Sequence, residues 1–154
     1  MMTETTKPAV LFIRQGTVSN NVVARTYMNY MAKDLGRSGS RAFNDLLAKI
    51  TYENPQLESL NLGENGLTDD FVDGIIKHLI ANPKLPLEKL DLGGNLFTED
   101  GVNCLLAAVE KRTDSPLTEL FLRGNPGISD KMLERVEEVM AKNAKRIKGS
   151  MSGR

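Results

Sequence analysis

The sequence holds one cysteine, one histidine and no tryptophan among 154 residues. With Cys104 alone, an internal disulfide is excluded and a reducing compartment is favoured. With His78 the single histidine, the usual histidine and cysteine ligand sets for zinc cannot be assembled. No apolar run reaches about 18 residues, so no membrane-spanning helix is expected. The first residues, Met-Met-Thr-Glu-Thr-Thr-Lys-Pro, lack the basic and then apolar order of a secretory signal, and no Asn-x-Ser/Thr acceptor occurs. An intracellular protein is expected, cytoplasmic before nuclear, ciliary or cytoskeletal. No metal or cofactor is expected, and no nucleotide cradle, because the one loop rich in glycine, 35–40, lacks a following Lys-Ser/Thr.

An excess of charge is also lacking, since 20 basic residues offset 20 acidic ones. Their distribution is uneven. Residues 1–38 carry a net +3, residues 39–140 a net −8 and residues 141–154 a net +5. Segregation of this kind bears on partners and solubility rather than on fold. The basic end, with Lys142, Lys145, Arg146 and Lys148, is a secondary candidate for contact with an acidic surface. Without interleaved aromatics it does not suggest specific nucleic-acid binding.

What the sequence does have is a repeat. Leu57-x-x-Leu60-x-Leu62-x-x-Asn65 recurs as Leu87-x-x-Leu90-x-Leu92-x-x-Asn95 and as Leu117-x-x-Leu120-x-Leu122-x-x-Asn125, each 30 residues after the last. This is the leucine-rich-repeat pattern. Each unit is expected to place a short strand before a helix, with Leu60, Leu62, Leu90, Leu92, Leu120 and Leu122 facing the core. Thr68, Thr98 and Ser129 are the expected N-caps, followed by acids that suit the helix dipole. The helix faces match in columns: Val72, Ile75, Ile76 and Leu79, then Val102, Leu105, Leu106 and Val109. After an insertion at Pro126-Gly127 come Leu133, Val136, Glu137 and Met140. Glu137 stands where Ile76 and Leu106 stood, as expected of a terminal helix with no further neighbour, so the array is expected to end there.

Before the repeats, residues 1–8 are expected to be a disordered leader and residues 9–13 a short strand. A helix is expected over roughly 20–34, capped by Ser19, with Tyr27 and Tyr30 on its apolar face. These segments are compatible with a degenerate repeat in which Gly16 replaces the asparagine. Residues 35–40 read as a loop. A helix over about 41–51 follows, with Phe43, Leu46, Leu47 and Ile50 inward, stopped by Asn54-Pro55 and covering the first repeat. The division expected is a capping region over 1–56, three repeats over 57–140 and a basic helix end over 141–154, frayed from Gly149.

The long unit, with a full helix after each strand and Thr or Ser before an acid, resembles leucine-rich repeats of the ribonuclease-inhibitor type. Ran GTPase-activating proteins and tropomodulins use the same class. The resemblance covers residues 57–140 firmly. It implies an α/β fold: a short right-handed solenoid with a parallel sheet on the concave side and helices on the convex side. Asn65, Asn95 and Asn125, turned inward after each strand, are expected to be structural, their amides serving turn backbone.

Function is then expected on the residues between the core leucines. Ser59, Lys89 and Glu119 form one row; Asn61, Asp91 and Phe121 the next; Gly63, Gly93 and Arg123 a third. Phe121 beside Arg123 has the composition of an interface anchor. Gly63, Gly93, Gly94 and Gly124 suggest bare backbone that a partner approaches. Asp91→Ala is expected to leave the melting temperature nearly unchanged. A Cys104–His78 pair on adjoining helices lacks a third orienting group, so no catalytic site is expected. The expected function is a non-catalytic protein-interaction module, an adaptor or subunit binding protein through the strand face. The alternatives are a regulator of a small GTPase and an actin-filament-associated capping protein.

Overall fold

The computed structural model describes residues 10–12, 35–112 and 114–152, with side chains from 41 to 149 apart from 113. Four strands form one parallel sheet in chain order: β1 (Val10–Phe12), β2 (Ser59–Asn61), β3 (Lys89–Asp91) and β4 (Glu119–Phe121). The register carries the 30-residue repeat across the sheet without slippage. Leu60 stands opposite Leu90 and Leu90 opposite Leu120, while Asn61, Asp91 and Phe121 form the next row. Residues 9–13, expected as a strand, supply β1, and Phe12 stands opposite Asn61. The leader at 1–8 and the helix expected over 20–34 lie outside the described residues.

Helices alternate with these strands. Helix α1 (Leu35–Glu53) precedes β2. After β2 comes α2, a 3-10 turn Asp69–Phe71, an α-helical turn Val72–Ile75 and a π-helical stretch Ile76–Ile80 in sequence. Helices α3 (Glu99–Lys111) and α4 (Asp130–Ser152) follow β3 and β4. Among the described residues no helix is long and apolar enough to cross a membrane.

The core lies between sheet and helices because the leucines point there. Leu57, Leu60, Leu62, Leu87, Leu90, Leu92, Leu117, Leu120 and Leu122 are all buried, and Leu67 and Phe97 join them just after each turn. Each such side chain contributes about 1.5–3 kcal/mol by leaving water. From the helices come Val72, Ile75, Leu79, Val102, Leu105, Leu106, Val109, Val136 and Met140, while Ile76 and Leu133 are partly buried. Helix α1 packs against α2 with Phe43, Leu46, Leu47 and Ile50 buried, and Phe43 meets Phe71 edge to face at 5.1 Å.

Three local expectations need correction. Residues 35–40 are the first turns of α1, not a loop. Their glycines and serines carry a propensity penalty, but the buried half of α1 supplies the nucleus, and extending a formed helix adds one hydrogen bond per residue. Helix α4 continues to Ser152 where fraying was expected from Gly149. Earlier in this helix the buried Asn143 amide donates to the carbonyls of Ser115 at 3.1 Å and Leu117 at 2.6 Å. Arg146 donates to the Arg112 carbonyl at 3.0 Å, and Arg112 donates to those of Ile80 and Asn82 at 2.8 and 3.0 Å. Each arginine thus serves carbonyls at or just past the end of the preceding helix. The third correction concerns the caps. Only Thr68 and Ser129 accept from their own helix, at 3.3 and 3.2 Å. The Thr98 hydroxyl instead donates to the Asp69 carboxylate, which also takes the Thr98 N–H at 2.9 Å. Glu99 does the same for the hydroxyl and N–H of Ser129, at 2.5 and 2.9 Å. The acids after the caps therefore join one repeat to the next as well as facing a helix start.

Candidate interaction face

Turning the chain after each strand falls to Asn65, Asn95 and Asn125, all buried. Asn95 shows how. Its oxygen accepts the N–H groups of Asn65 and Leu67 at 2.9 and 3.1 Å, and its amide donates to the Leu92 and Leu62 carbonyls at 2.9 and 3.2 Å. Asn125 repeats this, accepting from Phe97 at 2.9 Å and donating to Leu122 and Leu92 at 2.7 and 3.1 Å. The asparagines form a ladder that fixes the turns and thereby the side chains between the leucines.

Those side chains lie on the sheet face away from the helices, and the structure distributes them unequally. Phe121 is 45% exposed, and Lys89 and Arg123 are exposed beside it. Ser59, Asp91 and Glu119 are half-buried. Lys89 pairs with Glu119 across β3 and β4 at 3.2 Å, both ends being open to water, so the pair contributes little stability. Asn61 departs from expectation: it is 7% exposed rather than displayed. It points not into the leucine core but along its row, donating to Asp91 at 3.2 Å and accepting the Gly63 N–H at 2.8 Å. Asp91 in turn accepts the Gly93 N–H at 2.8 Å. Asn61 and Asp91 therefore brace the start of the turns, and the exposed part of the face gathers at β4 around Phe121. Two shallow hollows flank that ring, one over Ser59, Lys89 and Asp91, the other over Glu64, Gly94 and Arg123.

The glycines also serve the turns rather than lying bare for a partner. Gly94 and Gly124 have φ of +67° and +85°, a left-handed backbone that favours glycine. A Cβ on Gly124 would also stand 3.0 Å from the Gly94 nitrogen. Gly63 is buried and Gly93 half-buried, so only Gly94 and Gly124 of the four are exposed.

Elsewhere Lys142, Lys145 and Lys148 are exposed on α4, beside Arg135, Glu138 and Glu110. Arg146 does not join them, being half-buried and engaged with Arg112 and Asn143. His78 is half-buried, and burial, then the charge of Lys77, pushes its pKa below the ordinary value. Cys104 is exposed on α3. Among the described residues no group of three or more histidine, cysteine or acidic side chains is placed to hold a metal. The roles of Asn143 and Arg112 and the acid-to-hydroxyl links have no local sequence signature, although the 29- and 30-residue spacings of Asp69 to Thr98 and Glu99 to Ser129 are legible.

A strand, an asparagine turn and a helix, stacked in parallel register, invite comparison with known folds. No family model and no curated protein matches this sequence. Among solved structures, it is similar to the tropomodulin C-terminal domain of Caenorhabditis elegans. The two share 15% identity over 84% of this chain and 98% of that one, with a TM-score of 0.53. The likeness is one of fold, leucine-rich-repeat-like and α/β.

Proposed function

We propose that this chain is a short right-handed solenoid, its sheet concave and its helices convex, acting as a non-catalytic protein-interaction module inside the cell. Helices pack roughly 10 Å apart and strands about 4.8 Å apart, so stacking such units bends the sheet inward. The partner docks on the strand face around Phe121, with Arg123, Lys89 and Glu119 supplying polar contacts and Asp91, Asn61 and Ser59 forming the floor. The observation that carries this reading is the exposure of Phe121, a large aromatic beside an arginine on a face otherwise braced by its own hydrogen bonds. Lys142, Lys145 and Lys148 form a secondary contact for an acidic surface, strengthened at low salt.

The second reading, an actin-filament-associated role, is favoured over regulation of a small GTPase by the fold likeness to tropomodulin. Capture with wild type and with the Phe121→Ala, Arg123→Ala double variant tests the face. A partner retained by the first and lost by the second, with the melting temperature unchanged, supports the proposal. Equal capture by both sinks it. Actin elongation and GTP hydrolysis assays with purified components then separate the named partners.

A further inference from the structure

We propose that the outer edge of β4, with the groove between it and α4, accepts an extended, basic-centred segment of a partner protein as a fifth parallel strand. This goes beyond docking on the strand face, because it uses backbone groups at the edge of the sheet.

The hydrogen-bond pattern points there. In this sheet Phe121 and Arg123 turn their carbonyls to β3, accepting the N–H groups of Leu92 and Gly94 at 2.8 and 2.9 Å. One repeat earlier, Asp91 and Gly93 accept from Leu62 and Glu64 at 2.8 and 3.0 Å. The equivalent donors in the last unit are the N–H groups of Leu122 and Gly124. Among the described residues neither has an acceptor, although Leu122 is 2% exposed. The carbonyls tell the same story. Those of Leu62 and Leu92 each accept two asparagine amides, whereas that of Leu122 accepts only Asn125. Two donors and an acceptor are thus spaced for a strand, and such edges pair with extended chains.

The groove beside this edge, about 280 Å³, says what that strand carries. Its walls include Leu133, Val136 and Met140, which suit apolar side chains on the inner row. Among them stands exposed Glu137, where the helices before it carry Ile76 and Leu106. A carboxylate set in an apolar wall favours a basic side chain opposite. It also disfavours a second copy, since two-fold pairing of β4 with β4 would bring two Glu137 carboxylates into one shared groove. The occupant therefore alternates, with apolar and basic residues inward and uncharged residues between.

The probe is a fluorescein-labelled peptide, Thr-Leu-Thr-Lys-Thr-Leu-Thr, titrated into the full chain and followed by anisotropy and by amide NMR. Saturable shifts are expected at Leu122, Gly124 and Glu137. By the alternation seen in β3 and β4, the threonines pair with β4, so N-methylating the two beside the lysine should weaken binding about fivefold or more. N-methylating the leucines should change it little. Glu137→Lys, an exposed change, should reverse the preference toward the peptide with glutamate in place of lysine. Equal affinity across the N-methyl series overturns the proposal. So do shifts confined to Ser59, Lys89 and Asp91, which would place the peptide on the face. A dimer by sedimentation whose formation alone protects the Leu122 amide would assign the edge to a second copy and overturn it as well.

Discussion

Replacing Asn95 with alanine is expected to destabilise the protein by about 3–5 kcal/mol, a large part of an ordinary 5–15 kcal/mol. The asparagine is 1% exposed, and its oxygen is the acceptor for the N–H groups of both Asn65 and Leu67. Alanine leaves both donors buried without it, at about 1–3 kcal/mol each. The carbonyl side adds less. Leu62 O keeps the Asn65 amide at 2.8 Å, and Leu92 O keeps that of Asn125 at 3.1 Å. Asn125→Ala should cost a similar amount, because it leaves one N–H, that of Phe97, and one carbonyl, that of Leu122, without their partner. Urea unfolding followed by far-ultraviolet circular dichroism reads both, with the slope in urea unchanged and the Asn95 variant melting roughly 10 °C lower. Asn95→Asp sharpens the test. One carboxylate oxygen can still accept, but the other faces the Leu62 and Leu92 carbonyls, so the folded state raises this pKa above its unfolded value near ~3.9. The stability of this variant should then be greatest below the unfolded pKa and fall as pH rises through the folded one. A loss below about 1 kcal/mol for either variant would refute the ladder.

Leu90→Ala, at the fully buried centre of the sheet, should cost about 2–5 kcal/mol in the same urea experiment. Asp91→Ala should cost about 1 kcal/mol rather than nothing, through loss of the Gly93 and Asn61 hydrogen bonds; an unchanged melting temperature would contradict that bracing. The pKa of Glu99 is held below the ordinary carboxylate value first by the Ser129 hydroxyl and then by the Ser129 N–H. Its contribution is therefore present above the unfolded pKa and lost as pH falls through the lower folded one. Ser129→Ala should flatten that acid-side decline, and an identical pH profile for the variant would count against the link.

Much of the fold was legible because it is periodic. Thirty-residue spacing placed β2, β3 and β4 and the nine buried leucines of the repeat motif, since a strand row repeats whatever the sequence repeats. Residues 35–40 read as a loop because local propensity favours one there, and only tertiary packing of α1 through Phe43 and Ile50 overrides it. Asn61 was expected outward by alternation alone. Alternation fixes the face of a residue but not its burial, which here comes from its bonds to Asp91 and Gly63. The glycines misled for a related reason: composition shows a missing side chain, not the left-handed turn at Gly94 and Gly124 that requires it. Arg146 reads as part of the basic tail because the sequence cannot show which lysine or arginine finds a helix end to close.

The orientation of the strands is the claim on which face, edge and partner all rest. Single cysteines at Leu120 and Phe121, in a Cys104→Ser background, test it by thiol-labelling rate in native buffer. Rapid labelling at position 121, with position 120 protected until denaturant unfolds the chain, is the predicted result. Protection at 121 with rapid native labelling at 120 would contradict it, since the leucines would then not be the buried row.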